Sequence, residues 1–124
     1  MKSFRELRVW QKALDLVEKI YLTTQKFPRE ETYGLMSQIR RAVVSVPSNI
    51  AEGHTRNHIK EYLHHLSIAQ SSLAELETQL EIANRLKYIR PGQLRELLTE
   101  INSLGNPALG TRHPTPGTRL LCFP

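Results

Sequence analysis

The stretch NHIKEYLHHLSIAQSSLAELETQLEIANRLKY, residues 57–88, decides the fold. Within it Ile59, Leu66, Leu73 and Leu80 recur every seven residues, and Tyr62, Ala69, Leu76 and Ala83 follow each of them by three. Spacings of three and four place side chains on one face of an α-helix, whereas a strand would need strict alternation. Four successive heptads therefore predict one long amphipathic helix from Asn57 to Tyr88. At about 1.5 Å per residue it would run roughly 48 Å, so its neighbours must be comparably long to cover it.

The flanking sequence supplies such neighbours. Upstream, Leu35, Ile39, Ala42, Val43, Val46 and Ile50 again fall three and four apart, and the run ends at Gly53, read as a C-terminal cap. Pro47 interrupts this helix by removing one backbone hydrogen bond and crowding the preceding turn, so the helix kinks there or breaks and restarts at Ser48. A kink is favoured, because the apolar spacing continues in register. Further upstream, Leu7, Trp10, Leu14, Val17 and Tyr21 form one seam, with Val9, Ala13, Leu16 and Ile20 beside it. Together they cover about half the helix circumference, more than a two-stranded seam needs. This first helix is predicted from Arg5 to Lys26, before Pro28 disfavours helical geometry at Phe27. Downstream, Pro91 suits a first turn, and Leu94, Leu97, Leu98, Ile101 and Leu104 share a face. Gly and Pro then take seven of the twenty positions from Gly105 to Pro124, where no apolar period survives. The fold class is all-α: an up-and-down four-helix bundle, residues 1–104, with a shortened fourth helix and an irregular tail, residues 105–124.

Bulk properties agree. A chain of 124 residues with 40% hydrophobic, 23% charged and 6% aromatic residues suits one globular helical domain. The longest uncharged runs are about a dozen residues, short of the 18 to 20 that span a bilayer. Met1 to Trp10 lacks the apolar core of a signal peptide, so a cytoplasmic location is expected. The single cysteine, Cys122, can make no internal disulfide and no metal site by itself. The net charge of +5 favours polyanionic partners without implying sequence recognition.

Arg5, Lys12, Lys19 and Lys26 repeat every seven residues with Arg8 on the same side. Such a stripe is commonly the solvated flank of a bundle helix. Its functional reading is a phosphate-contacting ridge, to which Arg40, Arg41, Arg56 and Lys60 add charge. His54, His58, Glu61 and His65 would share one face, and could reach a metal, only if the long helix began early enough. No second ligand-bearing segment is evident. Ser45, Ser48, Ser71 and Ser72 sit in no nucleophile elbow and have no identifiable base, and read as packing and hydrogen-bonding residues. Glu75 and Glu77, two apart on a helix, point to different faces and make a poor acid/base pair. There is no Gly-rich phosphate loop. The expectation is a protein that is not an enzyme and needs no cofactor.

The run QIRRAVVSVPSNIAEG, residues 38–53, preceded by FPREETYGL, residues 27–35, resembles the four-helix-bundle family encoded by intervening sequences in large-subunit ribosomal RNA genes. FRELRVWQKALDLV, residues 4–17, and LAELETQLEIANRLKYI, residues 73–89, are similar to that family in the same order, so the resemblance covers roughly residues 3 to 104. It implies a left-handed bacterial bundle that assembles as a homopentamer, with no established activity. A distant similarity to the accessory bundle of diversity-generating retroelements implies a basic surface that works with nucleic acid and a reverse transcriptase, by analogy of fold only.

The leading expectation is thus a homo-oligomer that presents Arg5, Arg8, Lys12, Lys19, Arg40 and Arg41 to structured RNA or DNA, with no membrane and no small-molecule substrate. The alternatives are a protein-binding scaffold, or a selfish-element passenger with no cellular role. Family members continue the fourth helix with a charged amphipathic stretch, whereas this chain switches after Leu104 to NPALGTRHPTPGTRLLCFP after one glycine. The switch is read as a shifted frame or degenerate gene end. Sequencing the locus checks this: a helix-like continuation in another frame is expected, and its absence overturns the reading.

Overall fold

The computed structural model describes residues 3–105. Four α-helices make up the bundle: α1 (Arg8–Thr24), α2 (Leu35–His54), α3 (Ile59–Arg85) and α4 (Pro91–Leu104), with single 3-10 turns at Phe4–Glu6 and Arg29–Glu31. Each helix packs on the next and α4 closes against α1, with α2 and α3 sharing the most extensive contact. This is the arrangement of an up-and-down bundle.

The first helix begins three residues later than its charge pattern suggests. Ser3 Oγ accepts from the Arg5 N–H at 3.1 Å and so caps a separate short turn, and Leu7 is extended (φ −76, ψ 126) before α1 starts. Arg5 and Lys26 therefore both lie off α1, and the predicted stripe shrinks to Arg8 at its first residue and Lys12 and Lys19 on its middle turns. Of the two apolar seams, only Val9, Ala13, Leu16 and Ile20 are buried in the core. The other stays on the flank, where Leu14 is 39% and Tyr21 38% exposed.

Helix α2 runs unbroken through a buried Pro47. Next to it, Ser48 Oγ donates to the Val44 carbonyl at 2.8 Å and Asn49 Nδ2 to the Ser45 carbonyl at 2.9 Å, so side chains serve the backbone around the position where proline has no N–H. Gly53 is not the cap. The helix continues to His54, and the Thr55 N–H closes it on the Ala51 and Glu52 carbonyls, both at 3.3 Å. Gly53 is instead buried against α3, where a Cβ would lie 3.0 Å from His65 Cβ and 3.3 Å from the Tyr62 carbonyl oxygen. The sequence signal for a glycine at a helix end and for one at a helix crossing is the same, and only tertiary contact separates them.

Helix α3 spans 27 residues, about 40 Å, and stops short of Tyr88. The Tyr88 N–H returns to the Ala83 carbonyl at 2.8 Å and the Lys87 N–H to that of Asn84 at 3.0 Å. This is a Schellman closure with Lys87 at φ 68, a left-handed position usually given to glycine. The apolar period runs on because Tyr88, past the reversal, packs its ring 5.2 Å from that of Phe27. Helix α4 opens at Pro91 as predicted, with Gln93 Oε1 accepting the Arg90 N–H at 3.1 Å.

All four helices feed one core, in which Leu16, Ile20, Ile39, Val43, Val46, Leu76, Leu80 and Leu104 are almost wholly enclosed. Each such side chain contributes about 1.5–3 kcal/mol by leaving water. With 14 residues, about 21 Å, α4 covers only half of α3, and beyond its reach Ile59 and Leu63 are 68% and 55% exposed. The expected tail of residues 106–124 lies outside the described residues.

Gly53→Val tests the crossing. The added branches must push α3 away, and overpacking of this kind costs about 1–3 kcal/mol, read as a lower urea midpoint. An unchanged midpoint would mean that α2 and α3 do not depend on close approach there.

Candidate nucleic-acid interface

The six predicted cations fall into different surroundings. Arg5 is exposed in the first turn, its guanidinium 5.8 Å from the ring centroids of both Phe4 and Trp10. Arg8 is exposed at the start of α1. Lys12 is half-buried and donates to Ser103 Oγ of α4 at 3.4 Å. Lys19 forms an ion pair with Glu100 of α4. That hydrogen bond, reinforced by the charge of Glu100, raises the Lys19 pKa and holds the amine charged. Asp15 and Glu18 line the same groove of α1 and α4, so two amines face three carboxylates. A phosphate approaching there meets more negative than positive charge.

Arg40 acts as a clamp on the end of α1. Its Nε donates to Thr24 Oγ1 at 2.8 Å, its Nη2 to the Tyr21 carbonyl at 3.2 Å, and its guanidinium stands 4.3 Å over the Tyr21 ring. The buried Thr24 hydroxyl in turn donates to the Ile20 carbonyl at 2.8 Å. The Tyr21 carbonyl also accepts the Gln25 N–H at 3.1 Å, so Arg40 adds a second donor there, and a cation near a helix C-terminus suits its dipole. No periodicity in the sequence announces such a contact.

Arg41, one residue on, is exposed and has no ion pair among the described residues. It stands between two cavities. On one side a groove of about 600 Å³ is lined by Tyr21, Tyr33, Met36, Arg40 and Val44, with no carboxylate among its described lining residues. Tyr33 is 96% exposed. It has neither ring contact nor hydrogen bond within the described residues, and sequence reading passed over it because it lies between helices. On the other side a slot of about 270 Å³ between α2 and α3 is lined by Gln38, Ser45, Ser72, Glu75 and Gln79. Ser72 Oγ donates to Ser45 Oγ at 2.9 Å, Asn49 Nδ2 to the same oxygen at 3.0 Å, and Asn49 Oδ1 lies 3.0 Å from His65 Nδ1. Gln79 is buried, and its Oε1 has no partner among the described residues.

The segment that presents Tyr33 is pinned by Glu31. One oxygen of its carboxylate accepts the Leu35 N–H at 2.9 Å and caps α2; the other accepts the Tyr88 hydroxyl at 2.9 Å. These bonds, that to Leu35 foremost, hold the Glu31 carboxyl below its ordinary pKa, and the same contact pushes the Tyr88 hydroxyl up. The histidine face, by contrast, does not form: His54 ends α2, and His58 is extended ahead of α3. Among the described residues, no group of three or more histidine, cysteine or acidic side chains could hold a metal ion. No helix among them is long and apolar enough to cross a membrane.

The family model of the 23S rRNA-intervening sequence protein matches residues 5–108. A crystal structure of a protein of unknown function from the S23 ribosomal protein family of Bacteroides thetaiotaomicron is similar at 24% identity, covering 82% of this chain and 94% of that one with a TM-score of 0.72. At that identity the likeness concerns the fold. No curated protein matches the chain.

The Glu31 contacts give a pH test. A carboxyl with a depressed folded-state pKa stabilises the fold above its unfolded value, about 4.3, and the effect is lost as pH falls through the lower folded value. Glu31→Gln should therefore melt below the parent protein at neutral pH, with the gap closing on acidification past pH about 4. A gap independent of pH would remove the charge from the account.

Proposed function

We propose that this chain, which belongs to the 23S rRNA-intervening sequence protein family, is a non-enzymatic bundle that assembles with further copies of itself and binds structured RNA or DNA through the basic surface of α2. The observation that carries the nucleic-acid reading is the contrast between the two basic grooves. In the groove that Arg40 and Arg41 share with Tyr33 no carboxylate stands among the described lining residues, whereas the groove of Lys12 and Lys19 has three; Glu75 lies on the other side of Arg41, in the slot between α2 and α3. Exposed Arg5 and Arg8 extend the positive surface at the other end of α1. All of the acidic residues lie within residues 3–105 while Lys2, Arg112 and Arg119 do not, so the bundle carries less net charge than the chain. Binding by diffuse charge is correspondingly weaker there, and local grooves matter more.

Self-assembly is supported by the apolar flank of α1. Leu14 and Leu22 are 39% and 62% exposed there, beside Leu7, Trp10 and Val17, which the core covers only in part, and apolar surface of this kind is what another subunit covers. Family resemblance sets the expected copy number at five. Assembly would repeat the Arg41 surface on every subunit and raise avidity without any new contact.

Fluorescence anisotropy against a structured ribosomal RNA fragment across a salt series tests the reading. Affinity should fall log-linearly with salt, by roughly 0.7–0.9 log units per phosphate contact. Arg41→Ala should remove about one contact from that slope, and Lys19→Ala none. No binding even at low salt would reject the nucleic-acid role.

A further inference from the structure

We infer that the surface around Arg41 receives unpaired nucleotides: a phosphate at the Arg41 guanidinium, one base stacked on Tyr33, and a neighbouring base edge in the slot between α2 and α3. This rests on the nucleic-acid reading above and names the form of the ligand. Three observations carry it.

Tyr33 presents an almost fully exposed aromatic face with no partner among the described residues, beside an arginine and in a groove with no carboxylate among its described lining residues. Every base has a flat face, so an aromatic ring next to a cation is the general means of holding single strands. The slot on the other side of Arg41 has different chemistry. It contains the Glu75 carboxylate as well as Arg41, so a bare phosphate is disfavoured there, while a base edge bearing amino or imino N–H groups gives Glu75 something to accept. Gln79 adds the third observation. Its amide oxygen is buried beneath that slot without a partner among the described residues, so a base edge reaches it only when the amide turns by half and brings the oxygen to the side where its nitrogen stands. A buried amide with an unmet bond is a group that a donor on a base edge would satisfy. Duplex RNA cannot offer this set, since its Watson–Crick edges are paired and its faces are stacked, whereas loops, bulges and ends splay both out.

The test compares a short single-stranded oligoribonucleotide with the duplex formed on adding its complement, using the full chain, Tyr33→Leu and Tyr33→Phe. Tyr33 is exposed, so both variants should melt as the parent does, which circular dichroism checks. The expected result is tighter binding of the single strand, a loss of roughly 5- to 150-fold in Tyr33→Leu with duplex binding unchanged, and retention in Tyr33→Phe. Salt-dependent binding that is equal for single strand and duplex, or indifferent to Tyr33→Leu, overturns the inference while leaving the nucleic-acid role standing. Binding of neither at low salt overturns both.

Discussion

Helices α2 and α3 approach closely because Gly53 has no side chain where the two cross, and because Ser45 and Ser72 are small enough to meet through their hydroxyls at 2.9 Å. The distance between two packed helices is set by the side chains at their contact, and small ones let the axes come close. The rest of the molecule is arranged on this pair. Helix α1 lies on α2 with Arg40 gripping its last turn, and α4 lies on α3 and reaches back to α1 through Ser103 and Glu100. The cavities on either side of Arg41 are consequences of the same geometry: one opens where the α1–α2 connection stands off α2, the other where polar side chains line the seam between α2 and α3.

A second constraint is the inequality of helix lengths. Helix α4 has 14 residues against 27 in α3, so the N-terminal turns of α3 are left outside its cover, and the second apolar seam of α1 is enclosed only in part, with Leu14 and Tyr21 over a third exposed. A single copy thus satisfies its core while leaving apolar surface at two places. That is the physical ground on which the proposed assembly rests.

Much of this was legible in the sequence. The heptads of α3, the seam from Val9 to Ile20, the continuity of α2 through Pro47 and the start of α4 at Pro91 all follow from periodicity and from proline's missing N–H. What escaped was set by contacts between elements. Gly53 reads as a cap until α3 is placed beside it, Lys87 takes a glycine's backbone conformation without a glycine's signature, and the heptad of basic residues loses Arg5 to a turn capped by Ser3. The same holds for the candidate site. Arg40 and Arg41 are adjacent and chemically identical, yet one is spent on the Tyr21 carbonyl and Thr24 hydroxyl of α1 and the other faces solvent, and Tyr33 carries no periodic mark at all.

These distinctions concentrate the proposed function at the outer face of α2 and withdraw it from the groove where Lys19 is already paired with Glu100. The most direct measurement is amide hydrogen exchange on the full chain with and without the ribosomal RNA fragment. The account predicts protection from Tyr33 to Ser45 and from Ser72 to Gln79, with the α1–α4 groove unchanged. Protection confined to the turns carrying Lys12, Lys19 and Ser103 would contradict it.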